Sequence, residues 1–260
     1  MERHCRVPEG EKMKRIVLRA DDLGYSEAVN YGMAYACDNG MPISIGLMMN
    51  MPSARHGYDL IKEKGYCLGI HTNVSVGRPV SDPCEIPSLV GEDGFFHSSK
   101  LIRSAEKDII TVEDAEKETE AQVRKYIEMT GKQPDYLDMH AVFSKNFMKG
   151  VRNVGAKLGI VCSTVPLETP SMPVGNAEVI FRVHGASGKS VFEDIGEFES
   201  SEYETMIYVF HPGYVDKAIM ESSSVNVQRV YDADILHSKE FRNYLVQKEI
   251  ELITYSDLKG

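Results

Sequence analysis

The sequence predicts an α/β fold organised as a single β/α barrel. Short apolar runs, mostly β-branched, alternate with longer segments of helical spacing along the chain. At least seven of these runs qualify as strands. The chain has 260 residues, close to the roughly 250 usual for a barrel of parallel strands with helices outside. Neither a composition break nor an internal repeat divides it. Residues 1–12 (MERHCRVPEGEK) are polar and read as a flexible N-terminal extension, leaving 13–260 as one domain.

Residues 15–20 (RIVLRA) form the first strand, and Ser26 caps a helix through residue 38 that ends at Gly40. A second strand at 44–49, a helix at 53–64 and a third strand at 67–71 (CLGIH) follow. From 74 to 103, prolines and glycines interrupt any period over a length far beyond the about 4–6 residues of an ordinary connection, so the loop is expected to be functional, as a lid. The charged helix at 111–129 carries acidic residues first and Arg124 and Lys125 last, the sense its dipole favours. A strand at 136–140, a helix at 145–158 and a strand at 160–164 continue the alternation. Between 165 and 204 only 179–183 reads as a strand. The pattern then recovers with a strand at 206–211 (MIYVFH), a helix at 231–248 and a last strand at 250–255.

Composition removes several function classes. With 39 acidic and 29 basic residues the net charge is −10, which opposes a sequence-independent grip on nucleic acid or on an anionic membrane. No apolar run approaches the about 20 residues a membrane span requires, and the start of the chain lacks an apolar signal core. Five scattered cysteines without a CxxC pair read as free thiols of a reducing compartment. A cytoplasmic protein is expected.

Parallel strands place their chemistry at their carboxyl ends, and four of the expected ends carry ionisable groups: Asp21 and Asp22, His71, Asp138 with His140, and His211. Each alone has a plain structural reading. Paired aspartates before Leu-Gly start a helix, a single histidine hydrogen-bonds, and His-Pro-Gly makes a turn. Together they place six ionisable residues on one face of a barrel whose opposite strand ends carry almost none. One carboxylate and two imidazoles suit a divalent ion with positions open to water. A second carboxylate beside the first then serves as base, the minimal apparatus for metal-assisted hydrolysis. Adjacent strand residues face opposite ways, so Asp21 and Asp22 share the site only if the chain turns there, and Leu23-Gly24 supplies that turn.

These segments, Arg19 to Gly24 (RADDLG), Gly69-Ile70-His71-Thr72-Asn73 with Gly77-Arg78-Pro79, Asp138-Met139-His140 and His211-Pro212-Gly213, closely resemble the YdjC-like carbohydrate deacetylases, including the chito-oligosaccharide deacetylases, over about residues 13–258. The resemblance implies a distorted TIM-like β/α barrel related to polysaccharide deacetylases. It implies one divalent ion, magnesium or zinc, on Asp22, His71 and His140, with Asp21 as general base and His211 as the acid for the leaving amine. It also implies a homodimer acting on a small amino sugar or short oligosaccharide. Asn73 and Arg78, just past His71, either bind sugar hydroxyl or acetamido groups or stabilise their turn. Phe95, Phe96 and Phe143 either stack on sugar rings or anchor loops.

One departure stands out. The family continues past this aspartate with histidines two apart, whereas here Val142 and Ser144 hold the second and third positions. Two alternatives follow: a non-catalytic or divergent sugar-binding or regulatory barrel, and a different metal-dependent reaction such as phosphoester hydrolysis or sugar isomerisation. The intact Asp21, Asp22, His71 and His140 argue against the first. The net acidity disfavours a highly phosphorylated substrate for the second.

Overall fold

In the computed structural model, residues 13–166 and 169–259 are described; the expected 1–12 extension, with Cys5, lies outside them. The strands are β1 (Arg15–Leu23), β2 (Ser44–Leu47), β3 (Cys67–Thr72), β4 (Tyr136–Met139), β5 (Val161–Cys162), β6 (Ser171–Val174), β7 (Ala177–Val183), β8 (Thr205–Phe210) and β9 (Glu251–Ile253). The helices are α1 (Glu27–Cys37), α2 (Ala54–Ile61), α3 (Ser99–Ser104), α4 (Val112–Thr130), α5 (Lys145–Leu158), α6 (Val191–Glu199), α7 (Lys217–Ser222), α8 (Gln228–His237) and α9 (Lys239–Gln247).

The strands run in the order β5-β4-β3-β2-β1-β8-β7-β6, and β9 pairs with the start of β1. Every pairing is parallel except the β6–β7 hairpin. The result is one nearly closed, distorted β/α barrel. Alternation along the strands sorts the apolar side chains into two layers. Ile16, Leu18, Ile45, Ile70, Leu137 and Phe210 pack outward against the helices, while Val17, Tyr136, Val179, Ile207 and Tyr255 fill the interior.

Three segments differ from the sequence expectation. The helix expected at 231–248 is two helices: Ser238 breaks it with extended backbone (ψ 138°) and caps α9 by accepting from the Phe241 N–H. Residues 165–204 hold the β6–β7 hairpin and α6, whose start is a reciprocal Ser190–Glu193 cap that the acidic composition concealed. The long loop after β3 is strapped to α4. Glu118 accepts from the Val80 and Ser81 N–H groups, Asp114 from Ser88 N, and Gln122 bonds both the N–H and the carbonyl of Asn73. Against the expected lid, this is a wall, because lifting it would strip buried Glu118 and Gln122 of their partners. Cys37, Cys67, Cys84 and Cys162 are free thiols. Among the described residues, no helix is long and apolar enough to cross a membrane.

Candidate metal centre at the carboxyl ends of the strands

Alternation from Val17 turns Arg19 and Asp21 into the barrel interior. Asp22 would then face the helices, but its backbone is left-handed (φ 79°) and the β1–β2 register slips between Ala20 and Leu23. This conformation costs a non-glycine residue about 1–3 kcal/mol. The turn is held by Tyr25 N donating to Asp22 O (3.1 Å), Met48 N to Leu23 O (2.8 Å) and Gly24 N to Asn30 Oδ1 (2.6 Å). Gly24 (φ 94°) is required here, since a Cβ would lie 3.0 Å from the Ala54 backbone. Both aspartates therefore reach one site.

His71 on β3 lies in register with Asp138 on β4, and its Nδ1 is 2.6 Å from Asp138 Oδ1. That bond fixes the ring and leaves Nε2 facing Asp22 Oδ1 at 3.3 Å. His140, one residue past β4, is placed by its N–H to Thr72 O (2.9 Å). Its Nδ1 stands 3.0 Å from Asp22 Oδ1 and 3.2 Å from His71 Nε2.

These three atoms satisfy the spacing of a shared ion. Ligands about 2.1 Å from one metal lie about 3.0 Å apart at right angles and about 3.4 Å apart at tetrahedral angles. A carboxylate oxygen and two imidazole nitrogens facing one another also need a cation or proton between them. The electrostatics agree. Burial alone would lower the His71 pKa, yet Asp138 and Asp21 hold it well above the usual histidine value, so the site attracts positive charge. Burial alone would raise the Asp22 carboxyl, but Arg229 and His140 keep it well below its usual range. Asp21, His71 and Asp138 also cluster, but Arg19 already supplies the cation there. Its Nη2 and Nε bond Asp21 Oδ2 (2.7 and 3.1 Å), and Nε lies 3.2 Å from Asp138 Oδ2. Asp21 is held below its usual pKa against the upward push of burial, chiefly by Arg19 and then His71. Its other oxygen, Oδ1, is buried without a hydrogen-bond partner among the described residues, beside Gly46, where a Cβ would come within 3.1 Å.

His211 follows β8, and its N–H donates to Asp232 Oδ2 (2.7 Å). Asp232 Oδ1 also lies 2.7 Å from His184 Nδ1 and accepts from Gln228 Nε2 (2.8 Å). Burial pushes the His211 imidazole below the usual histidine pKa, although Asp22 and Asp21 act in the opposite sense.

Asn73 makes the bonds of the turn reading. Its Oδ1 accepts from the Ser75 and Val76 N–H groups, and its Nδ2 donates to Asn50 Oδ1 and Val76 O. Arg78 stacks 4.1 Å from the centre of the Phe95 ring, which is 42% exposed. Phe96 belongs to the core, whereas Phe143 is 61% exposed. Val142 is core, and Ser144 caps α5 by accepting from Phe147 N (3.0 Å). Both positions that lack the family's histidines thus have structural work.

The expected ligand set, Asp21 and the turn between them are brought together. Sequence reasoning assigned no role to Arg19, Asp138, Arg229 or the His184–Asp232 pair. Arg19 was detectable, lying two residues before Asp21 on the same strand face; Arg229 gave no local signal.

The pattern of the YdjC-like protein family matches residues 15–247. Carbohydrate deacetylase 2 of Listeria innocua is 27% identical, covering 94% of this chain and 98% of its own. A carbohydrate deacetylase of Geobacillus stearothermophilus is 29% identical, covering 93% and 96%. A crystal structure from Enterococcus faecalis, of a protein provisionally assigned to cellobiose-phosphate cleavage, superposes with TM-score 0.81 at 19% identity over 95% of this chain and 100% of that one. A family match spanning most of the barrel, site strands included, means that this chain belongs to the YdjC-like family.

Proposed function

We propose that the protein is a carbohydrate deacetylase that uses one divalent ion to hydrolyse the N-acetyl group of a small amino sugar or short chito-oligosaccharide. The observation that carries this reading is the convergence of Asp22 Oδ1, His71 Nε2 and His140 Nδ1 at 3.0–3.3 Å, with Asp21 on the other side of His71 (Oδ2 to Nδ1 3.8 Å) and its Oδ1 without a hydrogen-bond partner among the described residues. The names of the Listeria and Geobacillus relatives point the same way. Asp22, His71 and His140 would hold the ion, which when bound polarises the acetamide carbonyl and makes water acidic. Two nitrogen donors favour a zinc-class ion, since magnesium prefers an all-oxygen shell.

The remaining steps belong to the chain's own groups. Arg19 fixes Asp21 Oδ2 and keeps the carboxylate ionised, leaving Oδ1 to take the proton of the attacking water. The water oxygen bonds to the acetyl carbon, the C–N bond breaks, and acetate and a free amine leave. His211, with its backbone fixed by Asp232, delivers a proton to the departing nitrogen. Phe143 and the Arg78–Phe95 stack offer exposed faces for pyranose rings. The free thiols suit work in the reducing cytoplasm. Val142 and Ser144 replace histidines with core and cap side chains while Asp22, His71 and His140 still meet, which disfavours a non-catalytic barrel.

The test is acetate release from N-acetylglucosamine oligomers by metal-loaded protein. Asp21→Asn should lower turnover at least about 100-fold with metal content unchanged. His71→Ala and His140→Ala should each lose metal. Retained turnover in the first variant sinks the base assignment, and wild-type occupancy in both histidine variants removes the site.

A further inference from the structure

We propose that Arg229 is the positioning residue that makes Asp22 a one-oxygen ligand, an inference that rests on the metal-dependent reading above. Arg229 lies on α8, 207 residues along the chain from Asp22. Only 1% of the residue is exposed. Its Nη2 donates to Asp22 Oδ2 at 2.7 Å and its Nε to the Val225 carbonyl at 2.8 Å, while the guanidinium lies 5.6 Å from the centre of the Tyr25 ring. The Asp22 carboxylate is thereby held by one oxygen. The other, Oδ1, is the atom 3.0 Å from His140 Nδ1 and 3.3 Å from His71 Nε2.

A carboxylate free to rotate can offer a metal both oxygens. One whose second oxygen is tied by a buried guanidinium offers a single oxygen in a fixed direction and leaves a coordination position for water and substrate. The backbone needs the same help. Asp22 sits at φ 79°, where a side chain is not held by strand geometry, and the guanidinium supplies the missing constraint. Arg229 is also fixed by more than this ion pair, because its own carbonyl accepts the Gly213 N–H at 3.1 Å. The fork is therefore registered against the His211-Pro212-Gly213 turn, so ligand and acid are positioned from one helix.

The test is a cobalt(II) titration of the metal-free protein, read by visible absorption, on wild type, Arg229→Lys and Arg229→Met. Wild type should take up one cobalt. Arg229→Met should bind about 10–100-fold more weakly, as expected when a metal ligand loses its outer partner. Its cobalt bands should also weaken, as Asp22 turns its second oxygen to the ion and the coordination number rises. Arg229→Lys keeps the charge but cannot reach Val225 and Asp22 with one fork, so it should fall between the two. A purely structural salt bridge would change unfolding without changing the cobalt spectrum. Folded Arg229→Met with wild-type affinity and bands overturns the role of Arg229 while leaving the metal reading intact. Should that variant not fold, Arg229→Lys decides alone, and wild-type affinity and bands there overturn the proposal. Wild type that binds no cobalt overturns the metal reading itself and this inference with it.

Discussion

Replacing Arg19 with methionine keeps most of the side chain's length and removes its charge. Arg19 is 3% exposed and faces Asp21 and Asp138, which are 1% and 0% exposed. Methionine would leave two carboxylates inside the barrel without their cation. Breaking a buried pair costs about 3–5 kcal/mol, a large part of the about 5–15 kcal/mol that holds a domain together. At about 2–4 °C per kcal/mol for a chain of this size, the melting temperature should fall by about 6–20 °C. The measurement is thermal and urea unfolding of metal-free protein by circular dichroism, at neutral pH and near pH 3. Asp21 has a lowered pKa in the folded state, so the stability it contributes is fully present above its unfolded value of about 3.9 and lost as pH falls through the folded value. The gap between wild type and variant should therefore narrow in acid. Arg19→Met combined with Asp138→Asn should recover part of the loss, because one orphaned charge is gone. A loss under about 1 kcal/mol at neutral pH, or a gap that does not change with acid, refutes the claim that this arginine neutralises the interior carboxylates.

Gly69→Ala should destabilise by about 1–3 kcal/mol through overpacking: a Cβ there would fall 2.4 Å from the ring of Tyr136, which is pinned by stacking on Tyr255 at 3.9 Å. Unfolding curves that superpose on wild type would contradict this. His211 should give kcat/KM an alkaline limb whose midpoint lies below the about 6.5 of an ordinary histidine. Burial lowers its pKa and only the protonated ring can donate, so the rate falls as pH rises through that value. His211→Ala should be slower and lack the limb; a limb that persists in the variant assigns it to another group.

The parts of this molecule legible in its sequence are those set by short-range rules. Periodicity located eight of the strands because each is a run of apolar residues, and the strand-end rule selected Asp21, Asp22, His71, Asp138, His140 and His211 because barrels build sites there, without a role for Asp138. The hairpin partner β6 escaped because Pro173 and flanking serine and glycine hide a strand of four residues. The break between α8 and α9 escaped because Ser238 reads equally as helix interior and as cap. The loop after β3 reads as a lid from its length and its prolines and glycines. What restrains it, Glu118 and Gln122, lies on a helix that appears merely charged until the strapping bonds are seen.

The electrostatic partners escaped for a deeper reason. A strand end constrains the identity of a reacting group, but the residue that holds that group can come from any element that packs nearby. Asp138 holds His71 from the next strand, Arg19 holds Asp21 from two residues away, and Arg229 holds Asp22 from across the chain. Among the described residues Asp22 has the Arg229 guanidinium to itself, whereas Asp21 and Asp138 share Arg19, and the charge left over lies against His71, whose Nδ1 bonds Asp138 and whose Nε2 faces Asp22. The groups that fix these carboxylates and imidazoles are therefore as much a part of the candidate centre as the groups that face one another in it.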